Sequence, residues 1–490
     1  MKDETPQGVT DSERFLSELC SRTFLYIWSY ANPFKDDGHE FCDVLAVFEN
    51  HVFIFFDREK VLSDFIEGED PSVRWSRWKR NVVDRQVKAA RGAERYLRSG
   101  RKIYLDAKKT RELPIPLKLE DVTIHKIIVA HGATEACKNF SESNIHGSLA
   151  ISYGESANIP EWPFIVHLDR SDPVHIFDTH NLPIVLGTLD TIKDFSDYLN
   201  AKIDAISLFN LLCYCGEEDL LAHYLQNTNP QTNKHFIGSP DPTFDAIIIA
   251  EGAWQDLIAR QWYVETQSAN KRSYLWDRII KNACDHWLGG TLLGDGHPLN
   301  EHGAIFEMAK EPRFMRREAV DTMLRAINAF PDTKGRPARY LSLFGSYCPE
   351  KAYVFLQLWI PPAIRGDDET YRAKRQEILR IACGSAKNHY PQFKKIVGIC
   401  IPPPKLENNF GEDFIWLDCT QWTEEQCNEY DRLNRDWGFF ETGTPNVQRA
   451  VEFVLPSHEI GRRNASQQKM RRNEPCYCGS GKKFKRCHGT

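Results

Sequence analysis

The sequence holds no uninterrupted apolar run near the ~18 residues that cross a bilayer, so no membrane span is expected. Its first eight residues are polar and the first apolar run is amphipathic, so no secretory leader is expected either. It has no Gly-x-x-x-x-Gly-Lys-Ser/Thr run, no dinucleotide fingerprint and no Gly-x-Ser-x-Gly elbow. The usual marks of phosphate-loop motors, nicotinamide enzymes and α/β-hydrolases are therefore missing. No internal repeat is present. Neither sign of charge dominates: 62 Lys and Arg stand against 68 Asp and Glu, a net charge of −6. That balance argues against general coating of nucleic acid and leaves room only for local basic faces.

What is present is ordinary globular material. At 490 residues the chain is long enough for two or three domains. Twelve tryptophans and 28 phenylalanines supply sizeable cores. Fourteen cysteines without a leader point to a reducing, cytoplasmic compartment. Eleven of them lie outside the C-terminal tail, in surroundings such as those of Cys383 and Cys400, and read as buried thiols.

The densest chemistry sits in residues 471–490. Cys476 and Cys478 are one residue apart, and Cys487 and His488 follow as a neighbouring pair. Three thiols and an imidazole make the donor set that tetrahedral Zn2+ takes. Gly479-Ser480-Gly481 lets the chain reverse between the pairs. Lys482, Lys483, Lys485 and Arg486 favour the thiolate form that binds metal. A segment this short cannot bury enough surface to fold alone, whereas structural zinc is worth on the order of 10–16 kcal/mol. The segment resembles the SEC-C motif, the small zinc-binding tail best known at the end of the SecA translocase motor. Cys476, Cys478, Gly479, Ser480, Gly481, Lys482, Lys483, Cys487 and His488 all meet the motif's pattern. The resemblance implies structural zinc and a docking knob for a protein or the ribosome. Nine Lys and Arg against Glu474 alone, over 462–486, make the tail basic on an acidic body.

At the other end, Thr10 and Glu13 form a capping-box pattern ahead of Phe15, Leu16, Leu19 and Thr23 at helical spacing. That helix is expected to reach about Ser29. A strand VLAVF and a returning strand HVFIFFDREK then form a hairpin. With a loop of Glu49, Asn50 and His51, Phe48 opposes Val52 and Asp43 opposes Asp57. Glu59 then shares their face, with Glu40 just before the strand. Opposed carboxylates repel, and a divalent cation reverses that cost. The alternative is that these acids merely end exposed strands. A one-residue shift of the turn would bring Arg58 and Lys60 to the Asp43 face instead.

A long helix over 73–98 follows. Arg74, Arg77, Arg80, Arg85, Lys88, Arg91, Arg95 and Arg98 fall on one broad face. Trp75, Trp78, Val82, Ala89, Ala93, Tyr96 and Leu97 fall on another, with Gln86 among them. The basic face fits a phosphate backbone or is simply solvated. The order of helix, acid-bearing hairpin and Gln-bearing helix resembles the PD-(D/E)XK nuclease-like core. The resemblance implies a catalytic set of Glu40, Asp43, Asp57, Glu59, Lys60 and Gln86, with Mg2+ or Mn2+ as cofactor. It also implies nucleic acid held by Arg77, Arg85, Lys88 and Arg95. The pattern departs at one point: two residues after Asp57 stands Glu59, with Lys60 one further on.

The remainder alternates strand and helix, so the fold class is α/β or α+β and multidomain. It comprises an N-terminal mixed sheet with flanking helices, a second α+β domain and a small zinc knob. The expected boundaries are 10–148, 149–456, a linker over 457–470, and the knob over 471–490. Residues 163–169 and 174–178 read as a hairpin, 301–329 as one helix, and His175 and His180 as loop residues. Two functions remain open. One is a nuclease-like protein acting on nucleic acid with a zinc docking tail. The other is a non-catalytic adaptor that docks to a protein partner or the ribosome through that tail.

Overall fold

A computed structural model describes residues 10–441, apart from 64–69, 118–119, 142–143, 145, 155–161, 240, 242, 293 and 408–410. The expected linker and zinc knob lie outside these residues. Among the described residues the class is mixed α/β, built on three main sheets and a two-stranded one.

The first sheet holds β1 (Ser29–Ala31), β3 (Val44–Phe48), β4 (His51–Glu59), β6 (Thr123–His131) and β9 (His175–Asp178), side by side in that order. β1, β3 and β4 are antiparallel; β4, β6 and β9 are parallel. β2 (Phe34–Lys35) pairs with β5 (Ile103–Tyr104) nearby. The second sheet holds β7 (Ala150–Gly154), β8 (Ile165–Asp169), β10 (Leu211–Tyr214) and β11 (Ala246–Ile249), in the order β11-β10-β7-β8. The third runs β12 (Ala338–Gly345), β13 (Lys351–Trp359), β14 (Lys395–Ile401) and β15 (Asp413–Asp418).

The capping box at Thr10 and Glu13 opens the helix Asp11–Thr23, which is capped by Phe24, before the strand β1 that begins at Ser29. The expected extension to Ser29 fails because Leu25 turns into the left-handed region, φ 60°. The β3–β4 register also differs by one residue. The turn is Glu49 and Asn50 alone, with Phe48 opposite His51 and Val44 opposite Phe55. Glu49 takes φ 51°, the conformation a two-residue hairpin needs, and its carboxylate is held by Lys310 at 2.7 Å.

The long basic helix is present but not uniform. It is α-helical over Pro71–Lys79, π-helical over Arg80–Asp84, and α-helical again over Arg85–Arg98. The extra residue in the π turn re-aims the second half, so Ala90 is buried and Ala89 exposed, the reverse of a simple helical wheel. Trp75, Trp78, Val82 and Val83 thereby join the largest core, while Ala93, Tyr96 and Leu97 join a separate one with Phe41, Leu45 and Ile54.

The expected hairpin of 163–169 with 174–178 does not form. β8 pairs with β7, whereas β9 crosses back as the fifth strand of the first sheet. All four residues of β9 are buried although it is the last strand of its sheet, and His175 is among them rather than in a loop. The boundary expected at 148 therefore falls within this sheet's own span. Residues 301–329 split into Ala304–Ala309 and Arg313–Ala329, because Pro312 has no amide hydrogen to continue the ladder.

Charges close the core. Lys202 and Glu217 are both fully buried, 2.7 Å apart, and Tyr198 and Tyr214 donate hydroxyls to the same carboxylate at 2.6 and 2.8 Å. Burial lowers the Lys202 pKa and Glu217 opposes that. Glu307 reaches across to the third sheet through Lys351 and Lys395. Burial pushes its carboxyl up, but Lys351, Lys310 and Lys395 outweigh this and hold it at about 2.

Removing one partner of a buried pair leaves an uncompensated charge. Lys202→Met is expected to cost about 3–5 kcal/mol of unfolding free energy. The double variant with Glu217→Leu should recover much of it, as a double-mutant cycle by urea unfolding will measure.

Candidate functional site

The carboxyl-terminal ends of β4, β6 and β9 lie together, because the three strands run parallel and adjacent.

Asp43 immediately precedes β3. It is half-buried, and its Oδ2 accepts the backbone N–H of Asp57 at 2.6 Å. Its own N–H reaches the Phe55 carbonyl. The expected pairing of two facing carboxylates is replaced by a carboxylate on main chain. Burial pushes the Asp43 carboxyl up to about 7; the Asp57 amide opposes this, and Glu40, Glu13 and Asp57 add to it. Glu40 is raised too, by burial and by Glu13.

The Asp57 carboxylate goes elsewhere. Its side chain is 1% exposed and its Oδ2 lies 3.2 Å from His131 Nε2. The other ring nitrogen, Nδ1, lies 2.9 Å from Thr179 Oγ1. Arg58, Glu59 and Lys60 are exposed beyond it. The Lys60 carbonyl accepts Trp78 Nε1 at 2.6 Å, which pins the strand end to the basic helix. Gln86 is half-buried, at i, i+4, i+7 and i+11 with the inward Ala90, Ala93 and Leu97. Among the described residues no three His, Cys, Asp or Glu side chains gather as metal ligands. Asp43, Asp57 and Glu40 are thus neighbours without a shared coordination point.

Next to Thr179 the turn into the helix Asn181–Thr188 is tightly held. Asp178 accepts the N–H groups of His180, Asn181 and Leu149 at 2.9, 3.0 and 2.9 Å. Ser148 Oγ donates to Glu218 at 2.6 Å, and burial, then Asp178, pushes the Glu218 carboxyl up to about 8. His180 stacks on His146 with ring centroids 4.6 Å apart.

On the outer side, Arg77, Arg80, Arg85, Lys88 and Arg95 are exposed. The acids of this helix are engaged elsewhere: Asp84 with Lys79, and Glu94 with Arg98 and Lys126. The candidate nucleic-acid residues therefore form a cationic face with Arg77, Arg80 and Arg85 along it.

Sequence reasoning missed His131 and Thr179. The available signal was that His131 ends, and Thr179 directly follows, a buried apolar strand, where parallel sheets place their functional groups.

Cys476, Cys478, Cys487 and His488 lie outside the described residues. Residues 472–490 match the family model of the SEC-C motif, a generally zinc-binding motif, and the donor set of three thiols and an imidazole fits that metal. No curated protein and no solved structure matches the chain. Among the described residues no helix is long and apolar enough to cross a membrane.

The Asp43 shift gives a sign to test. A carboxyl raised from 3.8 to about 7 in the fold contributes stability that is present below pH 3.8 and lost as pH rises through about 7. Asp43→Asn keeps an oxygen for the Asp57 N–H and cannot ionise. Its urea midpoint should stay flatter between pH 4 and 7 than the parent's and exceed it above pH 7. Parallel curves would assign the shift to another group.

Proposed function

We propose that this protein is a zinc-tailed docking protein that holds nucleic acid on its N-terminal domain without cutting it. The observation that carries this reading is that the two aspartates have different partners. Asp57 is committed to His131, and Asp43 to a backbone amide. Two-metal or one-metal phosphodiester cleavage needs carboxylates that converge on one ion. The departure of Glu59 and Lys60 from the acid-x-Lys pattern agrees with it.

The binding surface in this reading is the helix spanning Pro71–Lys79 to Arg85–Arg98. Arg77, Arg85, Lys88 and Arg95 neutralise phosphates, and Arg80 extends the row. Glu40, Glu59, Lys60 and Gln86 shape the neighbouring edge rather than catalyse. The tail supplies docking: Cys476, Cys478, Cys487 and His488 hold Zn2+, which supplies structure there, and the surrounding Lys and Arg face an acidic protein surface or the ribosome.

Two experiments test it. Metal analysis of the full chain should find zinc, and Cys487→Ser should lose it while the urea transition of the body stays in place. Zinc-free native protein contradicts the tail assignment. For the helix, a short fluorescent duplex should bind with a log–log salt slope of about −0.9 per phosphate contacted. Glu substitutions at Arg77, Lys88 and Arg95 should weaken binding and flatten that slope by about 1 each. Cleavage of the duplex in Mg2+ or Mn2+, abolished by Asp43→Ala, would return the domain to the nucleases.

A further inference from the structure

The group that a nuclease would spend on metal has a different partner here, and the partnership has a direction. Asp57 is buried, His131 is 9% exposed, and Thr179 is exposed to solvent. Carboxylate, imidazole and hydroxyl follow one another at 3.2 and 2.9 Å, from the interior to the surface. The carboxylate fixes the tautomer. With Asp57 accepting the proton of Nε2, Nδ1 keeps its lone pair and accepts the Thr179 O–H.

We propose that Asp57, His131 and Thr179 form an acyl-transfer relay, with Thr179 as nucleophile toward a carboxylic ester. This goes beyond the docking role and does not depend on it. Each residue stands at the carboxyl end of its own parallel strand: Asp57 near the end of β4, His131 as the last residue of β6, Thr179 directly after β9. That edge is where open α/β sheets bind ligands. Thr179 lies at a strand–turn–helix junction whose turn is clamped by the Asp178 carboxylate, and its own hydroxyl meets the His131 ring. The helix Asn181–Thr188 begins two residues later and directs the positive end of its dipole at the turn. Across the turn, His180 Nε2 lies 4.0 Å from Glu218 Oε1, and neither that nitrogen nor Glu218 Oε2 has a hydrogen-bond partner among the described residues. A histidine that only tied strand ends together would not need its last partner in solvent.

The chemistry balances with water as the second substrate. Thr179 Oγ1 attacks the acyl carbon as its proton passes to His131 Nδ1. The C–O bond to the alcohol breaks, and the alcohol leaves with that proton. Water then gives its proton to Nδ1 and its oxygen to the acyl carbon, releasing the acid and restoring Thr179. Asp57 touches no substrate; it is a positioning residue that stabilises the imidazolium.

The test uses the full chain with p-nitrophenyl acetate. The expected result is a burst of p-nitrophenol and an acetyl group on the peptide carrying Thr179, found by mass spectrometry. Thr179→Ser should keep the burst and Thr179→Ala should remove it; both change an exposed side chain, so folding is not at stake. Asp57→Asn should lower kcat by up to about 10⁴-fold with KM held, as loss of the acid does in a hydroxyl–imidazole–carboxylate triad. A merely structural Asp57 would move the unfolding midpoint instead. Acetylation confined to lysines, or hydrolysis unchanged in Thr179→Ala, overturns the proposal and leaves His131 a clamp between strands.

Discussion

The space between the first two sheets is closed by a charge that has no contact with water. Lys202 lies within 6 Å of the rings of Tyr153 on β7, Tyr214 on β10 and Phe177 on β9, so one ammonium touches strands of both sheets. A cation there is tolerable only because Glu217 faces it and two tyrosine hydroxyls complete that carboxylate. The geometry allows little slack. It fixes how β9 lies against β10, and hence where the turn after β9 meets the helix beginning at Glu217, whose next residue, Glu218, hydrogen-bonds Ser148. The edge that carries Thr179, His180 and Glu218 inherits its shape from this pair.

The other governing detail is a two-residue turn. Closing β3 on β4 through Glu49 and Asn50, rather than three residues, sets Val44 against Phe55. Asp43 then reaches the main chain of Asp57 instead of its side chain, and Asp57 is left to β6. One residue of loop separates a carboxylate pair that could share a cation from a carboxylate that orients a histidine. Lys310 on Glu49 shows the turn is itself held by the distant helix Ala304–Ala309 region, not by local sequence alone.

What the sequence made legible was local. Thr10 and Glu13 sit three residues apart and cap the helix they were read to cap. The strands VLAVF and HVFIFFDREK came out as Val44–Phe48 and His51–Glu59, since their apolar runs are contiguous. Long-range choices were not legible. β9 pairs with β6 across more than forty positions, and nothing near 170–173 announces that the chain changes sheets there. The π turn at Arg80–Asp84 depends on two cores pulling one helix in different directions, so a wheel drawn from the sequence placed Ala89 inside. His131 and Thr179 lie 48 positions apart and meet only through parallel strand ends. The tail is the opposite case: its four ligands and its turn sit within a stretch of thirteen residues, which is why a family model matches there and nowhere else is needed to read it.

Asp57 belongs to His131 and not to a metal shared with Asp43. Crystals of the full chain soaked in Mn2+, with data collected at the manganese edge, address it directly. No anomalous peak is expected between Asp43 and Asp57, with the Asp57 carboxylate still on the His131 ring. A peak within coordination distance of both carboxylates, with His131 turned away, would contradict it.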